Sequence, residues 1–238
     1  MQSKPVALVT GANKGIGLQI AKDLVSHGFT VLIGSRNLEN GQEAANRIGS
    51  DAHALQLDVT DPQSIASAAA YIKDTFGHLD VLINNAAVSH AAKAGDPFPQ
   101  GGPASGLLTV ASIEDIRSIY DTNVFGVIAV TQAMLPLLHQ SSAPRIVNMG
   151  STGGSLSWNS TPGNDHRAMF GAYSASKSAV HAVTLAFAFA LESTPIKVNA
   201  ACPGHTSTAL NNYSGARTVE QGAKEAVRLA MLGPEGPT

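Results

Sequence analysis

The stretch Thr10-Gly11-Ala12-Asn13-Lys14-Gly15-Ile16-Gly17 limits what this chain can fold into more than any other. It follows a short apolar run, Pro5 to Thr10, and opens a segment of helical length, Gly15 to His27. Glycines spaced G-x-x-x-G-x-G at such a junction permit a tight turn. They also let backbone N–H groups approach an anion at the positive end of the helix. The spacing is a variant of the dinucleotide-binding fingerprint, with Gly11, Asn13, Lys14, Gly15, Ile16 and Gly17 read as cofactor-binding residues. An ordinary glycine turn is the alternative, and the strand before and helix after weigh against it.

The rest of the chain repeats that unit. Strands are predicted at Pro5 to Thr10, Thr30 to Ser35, Ala52 to Leu57, Val81 to Asn84, Pro144 to Met149 and Lys197 to Ala201. Helices are predicted at Gly15 to His27, Leu38 to Ile48, Pro62 to Phe76, Ile113 to Leu138, Gly171 to Ser193 and Val219 to Met231, with a break near Asn123 or Pro136. Short β-branched runs alternating with Ala-rich helical segments indicate an α/β fold, a doubly wound parallel sheet with helices on both faces. At 238 residues and 44% hydrophobic content, residues 1–238 are expected to form a single domain that binds the dinucleotide and carries out the chemistry. Two Gly/Pro/Ser-rich stretches, Ala91 to Gly106 and Thr152 to Arg167, follow strands where such sheets place ligands, and are expected to wall a pocket.

Composition excludes several classes of partner. The net charge of −2, without a basic run, argues against nucleic acid and anionic membranes. No signal-type segment or run of membrane-spanning length is read, so a cytoplasmic protein acting on a small molecule is expected. Cys202 is the only cysteine, which excludes an internal disulfide, and the histidines lack metal-ligand spacing, so no metal is expected. The sequons at Asn159 and Asn212 then read as chance matches.

The end of the second strand bears on which dinucleotide is bound. An acidic residue there would take the ribose 2′-hydroxyl, but the chain reads Gly34-Ser35-Arg36. Arg36, with Lys14, can grip a 2′-phosphate, which favours NADP(H); two solvated cations are the alternative. Asp58-Val59 follows the third strand, where Asp58 either accepts from the adenine amino group or serves a turn. Asn84-Asn85-Ala86-Ala87 closes the fourth strand with small residues that allow a ribose close approach, or with amides that satisfy the strand end.

Tyr173-Ser174-Ala175-Ser176-Lys177 sets a phenol and an ammonium one helical turn apart. An unperturbed phenol titrates near about 10. A neighbouring Lys177, with a positively charged nicotinamide, favours the phenolate and so helps Tyr173 exchange a proton with a substrate oxygen at neutral pH. Tyr173 and Lys177 are also read as cofactor-binding, Lys177 by hydrogen-bonding the cofactor ribose; a chance pair one turn apart is the alternative. Ser151, at the end of the strand Pro144 to Met149, can hold that oxygen or simply cap a turn. Asn123 is a poor interior helix former, suggesting either a kink serving a proton relay to Lys177 or back-bonding to its own helix.

In this order along the chain, these residues resemble the short-chain dehydrogenase/reductase family from the first strand to about Met231. The pieces that match are Gly11, Gly15, Gly17, Asp58, Asn84 to Ala87, Asn123, Ser151, Tyr173 with Lys177, and Pro203-Gly204 followed by Thr206 and Thr208. The resemblance implies a Rossmann fold and hydride transfer through an Asn123–Ser151–Tyr173–Lys177 tetrad. It also implies Asn85 at the nicotinamide-side ribose and the Pro203 to Thr208 loop at the carboxamide. The glycine turn and the long segment before Tyr173 look most like the NADPH-dependent carbonyl reductase branch, acting on a small carbonyl or alcohol. Acyl-carrier or polyol reduction is the runner-up, and a non-catalytic NADP(H) sensor the rival that the tetrad opposes.

Three departures stand out. Ala87 replaces the usual glycine, the stretch from Ser151 to Tyr173 is long, and the family's last strand is either absent or lies beyond Thr238. Phe98, Trp158, Phe170 and Tyr213 either line a pocket for a hydrophobic ketone or aldehyde or pack the loops. A homo-oligomer is suggested by apolar residues on several faces of Tyr173 to Glu192 and opposed by the long loop.

Overall fold

The computed structural model describes residues 4–90 and 105–238, and within them the alternation of strand and helix resolves into one parallel sheet. The strands are β1 (Val6–Thr10), β2 (Thr30–Ser35), β3 (Ala52–Gln56), β4 (Val81–Asn84), β5 (Arg145–Met149) and β6 (Lys197–Ala201). Their order is β3-β2-β1-β4-β5-β6, and every pair is parallel. The order reverses between β1 and β4, which opens a crevice beyond their C-terminal ends.

Strand parity explains the layers. Ala7, Val9, Val31, Ile33, Val81 and Ile83 point to one face, where they pack against α1 (Gly15–Ser26), α2 (Leu38–Ile48) and α8 (Val219–Ala230). Val6, Leu8, Leu32, Leu82 and Ile146 point to the other, against α3 (Pro62–Phe76) and α5 (Gly126–Leu138). A strand buried on both faces reads as a continuous apolar run, and β1 is buried at all five positions. The doubly wound Rossmann fold expected from the sequence is therefore the one observed.

The helical run from Ile113 to Leu138 is α4 (Ile113–Tyr120), a π-helical turn (Asp121–Phe125) and α5. The wide turn is the break expected near Asn123, and α5 runs on through Pro136. One sequence expectation is corrected here. This 26-residue run has the length and hydropathy of a membrane span, with half of its most apolar window buried inside the protein.

The segment between Ser151 and Tyr173, expected as loop, contains α6 (Leu156–Ser160) flanked by 3₁₀ turns at Thr152–Gly154 and Asp165–Met169. It leads into α7 (Ala172–Ala190). A third 3₁₀ turn, Ala209–Asn211, follows β6. The last residues lie along the outer edge of β6, where Val198 N–H donates to Thr238 Oγ1 at 2.8 Å and Asn199 Nδ2 to Pro237 O at 3.0 Å.

Candidate active site

At the mouth of the crevice Gly11 has φ +63°, a left-handed conformation that glycine adopts without strain. A Cβ on Gly11 would lie 2.9 Å from Ala86 Cα, so the turn and the β4 end are in direct backbone contact. Asn85 locks them together. Its Nδ2 donates to Thr10 O at 2.9 Å and Gly11 O at 3.1 Å, while Thr10 Oγ1 accepts from the N–H groups of Asn85 and Ala86 at 2.9 Å each. The Asn85 amide nitrogen thus holds the turn.

Helix α1 has no side-chain cap, and no acidic residue stands in its first turn. The leading N–H groups and the positive end of the dipole therefore face the crevice, which fits a pyrophosphate. Gly17 sits beneath, where a Cβ would lie 2.4 Å from Asn85 Nδ2 and 2.6 Å from Gly11 O. Gly17→Ala must push the clamp aside. At about 1–3 kcal/mol for such overpacking, borne by the binding turn, the dinucleotide dissociation constant should rise about 5- to 150-fold. Fluorescence titration measures this, and an unchanged constant would show that the turn is not the binding element.

Around this turn Lys14 and Arg36 are exposed, with no ion pair to either among the described residues. Arg47 of α2 reaches to Asn13 O at 3.5 Å and adds a third cation to that rim. Asp58 is partly committed to a turn: its Oδ1 accepts from Thr60 N–H at 2.9 Å and Thr60 Oγ1 at 2.7 Å. Val59 is buried against Gly126, and Ile16 is partly buried against the core.

In the Pro203 to Thr208 loop, Thr206 is buried, and its hydroxyl donates back to Pro203 O at 3.0 Å instead of reaching outward. Gly204 takes φ +68° against the Arg217 side chain. Thr208 stands across the crevice, its Cγ2 3.6 Å from where a Cβ on Gly15 would be. The two loops beyond β4 and β6 meet where Ser89 Oγ donates to Leu210 O at 2.6 Å.

The four tetrad positions come together on α7 and its neighbours. Asn123, 1% exposed in the π turn, does not back-bond to its own helix. Its Oδ1 accepts from Val88 N–H at 2.8 Å, and its Nδ2 donates to Val88 O at 2.9 Å and Ser176 Oγ at 3.0 Å. Ser176 Oγ in turn donates to Tyr173 O at 2.7 Å. Lys177 is buried, with Nζ donating to Met149 O at 2.8 Å and lying 5.7 Å from the Tyr173 ring centre. Ser178 Oγ donates to Gly154 O at 2.8 Å. Ser151 Oγ accepts from Gly153 N–H at 3.0 Å, which leaves its own hydrogen free to be donated. The turn role and the donor role of Ser151 are thus compatible.

The titration of Tyr173 differs from the sequence expectation. Burial pushes the phenol up to about 12, with the Cys202 thiol acting in the same direction. Burial also brings the Lys177 ammonium down to about 8, against a smaller upward pull from Cys202. Desolvation is the first cause at both groups, and it favours the protonated phenol of Tyr173.

Three participants were not singled out from the sequence: Ser176, Cys202, whose Sγ accepts from Thr152 N–H at 3.2 Å, and His181, whose Nε2 accepts from Ser151 N–H at 3.3 Å. Of the expected pocket aromatics, Phe98 lies outside the described residues. Trp158 packs tilted against His166 with ring centres 4.8 Å apart, Phe170 is half-buried, and Tyr213 is exposed.

A family model described as short chain dehydrogenase matches residues 5–218. The (+)-neomenthol dehydrogenase of Capsicum annuum is 32% identical, the alignment covering 98% of this chain and 93% of that protein. Among solved structures, salutaridine reductase from Papaver somniferum superposes with a TM-score of 0.83 at 29% identity, covering 99% of this chain and 98% of that one. Menthone neomenthol reductase from Mentha piperita gives 0.77 at 30% identity, covering 100% and 97%.

Proposed function

The chain belongs to the short chain dehydrogenase family, and from that premise we propose that it is an NADP(H)-dependent reductase of small, hydrophobic ketones or aldehydes, acting as one domain over residues 1–238. A carbonyl substrate accords with the names of its relatives, a neomenthol dehydrogenase and two reductases. The single observation that carries the chemistry is the interlock of α7 with the β5 end. Lys177 Nζ on Met149 O and Ser178 Oγ on Gly154 O tie the helix that bears Tyr173 to the strand end that bears Ser151.

Bound NADPH would supply a hydride from its nicotinamide ring. Gly11, Gly15, Ile16 and Gly17 would hold the pyrophosphate, and Arg36 with Lys14 the 2′-phosphate. Ser151 donates its hydroxyl hydrogen to the substrate oxygen and fixes its position. Tyr173, kept protonated by burial, gives its proton to that oxygen as the carbon accepts hydride. Lys177 stands behind the phenol to reprotonate it. Asn123 acts at one remove, tying the segment after β4 to Ser176 and the start of α7.

Reduction of a panel of aromatic and aliphatic ketones and aldehydes, followed by NADPH consumption, tests the activity. For cofactor choice, Arg36→Ala should weaken NADPH at least tenfold more than NADH, because a charge-assisted hydrogen bond contributes about 1.5–3 kcal/mol. Equal losses for the two dinucleotides would make Arg36 a surface cation only.

A further inference from the structure

The five backbone N–H groups from Gly150 to Gly154 all have partners, and their partners show what fixes Ser151. Gly150 donates to Ala201 O at 2.8 Å, Thr152 to Cys202 Sγ at 3.2 Å, Gly153 to Ser151 Oγ at 3.0 Å and Gly154 to Ser151 O at 2.9 Å. The N–H of Ser151 itself donates to Nε2 of His181 at 3.3 Å. His181 lies one turn beyond Lys177 on α7. Its ring reaches the strand end because residue 150 is glycine: a Cβ there would stand 2.6 Å from Nε2.

We propose that His181 is a positioning residue for the carbonyl reduction, whose neutral ring holds Ser151 in place by accepting its N–H and whose protonation releases Ser151. This rests on the reading of Ser151 as the group that fixes the substrate oxygen. As an acceptor Nε2 carries no hydrogen, so the neutral ring is the Nδ1–H tautomer. A proton added at Nε2 would turn it into a donor pointed at another donor. The Ser151 N–H would then lose its partner, and the hydroxyl beside it would leave its productive position.

Lys177 on the same helix is the charged group that acts on the ring, while Cys202 takes the neighbouring Thr152 N–H and Glu192 lines the same groove between α7 and β6 as His181. That groove opens the imidazole to solvent, which provides a route for the proton. Burial first, and the Lys177 charge second, hold His181 below its ordinary value of 6.5. The ring is therefore neutral at physiological pH. The site should lose activity as the pH falls through a value below 6.5.

The test compares pH profiles of kcat for NADPH-dependent ketone reduction in the wild type, His181→Leu and His181→Gln. Leucine offers no acceptor, and glutamine offers an oxygen that does not titrate. His181→Leu should lower kcat about tenfold near neutral pH, the scale of a small misplacement of a reacting group, with NADPH affinity unchanged. His181→Gln should recover most of that loss and abolish the acid limb shown by the wild type. A His181→Leu chain with wild-type kcat, or a His181→Gln chain that keeps the acid limb or recovers nothing, would overturn the proposal. A wild-type chain that reduces no carbonyl compound would instead overturn the reading of the site beneath it.

Discussion

Replacing Tyr173 with Phe is expected to lower kcat for ketone reduction by about 10²–10⁴-fold, the range for losing a positioned general acid, while NADPH still binds. The ring packs on α7 over a lysine 5.7 Å from its centre, and phenylalanine keeps that ring. What it removes is the hydroxyl, which burial holds protonated up to about 12. Across the working pH range the phenol is therefore the form present, and it can deliver a proton to an oxygen that gains negative charge as hydride arrives. Steady-state kinetics with a cofactor titration checks both halves. Turnover near the wild-type rate would assign the proton to another group, and loss of NADPH binding would place Tyr173 in the cofactor cradle.

The second large effect is on stability. Arg145, the first residue of β5, is 2% exposed, and no carboxylate pairs with it among the described residues. Its guanidinium is satisfied by carbonyls: Nη1 donates to Pro144 O at 2.8 Å, Nε to Leu232 O at 3.0 Å, and Nη2 to Leu232 O at 2.7 Å and Gly233 O at 2.8 Å. Leu232 and Gly233 follow α8, where the helix dipole is negative and the last carbonyls lack intrahelical donors.

Arg145→Met keeps much of the apolar stem but leaves Leu232 O without a donor, whereas Pro144 O keeps the Lys197 N–H at 3.1 Å and Gly233 O the Gly236 N–H at 3.0 Å. An unsatisfied buried group costs about 1–3 kcal/mol, and a loss toward the upper end of that range is expected because the other two carbonyls also lose a charged donor. In a chain of this size about 3 kcal/mol lowers Tm by roughly 6–12 °C. Thermal unfolding measures the shift, and Arg145→Lys, which retains three donors, should recover part of it. A methionine variant melting within a degree or two of the wild type would show that the end of α8 does not depend on this anchor.

The central strands of the sheet were legible in the sequence because they are buried on both faces. Val6 to Thr10 and Val81 to Asn84 have no exposed position, so apolar and β-branched residues occur without interruption between turn signals. The glycine turn was legible for a steric reason: Gly11 and Gly17 stand where a Cβ would strike Ala86 and Asn85. Helix α6 was not. Its segment is rich in Ser, Asn and Gly and has no apolar period, and local polar bonds hold it instead. Ser155 caps Trp158, while Asn159 Nδ2 reaches Gly153 O at 3.0 Å and Ser155 O at 2.7 Å.

At the site, Tyr173 and Lys177 were legible from a spacing of one helical turn. Asn123 stood out as a misfit in a helix, and the π turn accounts for it. His181, Cys202 and Arg145 were invisible because their partners are distant in sequence, 30, 50 and up to 88 residues away. Asn85 and Thr206 were assigned to a ligand, yet their side-chain donors close on the protein's own backbone. A resemblance shows which residue types recur, whereas the hydrogen bonds show which of their atoms are already engaged.

The most direct measurement of the central claim follows the hydride itself. The chain would be incubated with NADPH deuterated at the transferable C4 position and a panel of ketones and aldehydes. Mass spectrometry of each alcohol would then locate the label. Deuterium on the new carbinol carbon of at least one product, formed about 10²–10⁴-fold more slowly when Tyr173→Phe replaces the wild type, is the predicted result. A chain that binds the dinucleotide but yields no labelled alcohol from any carbonyl compound would contradict it.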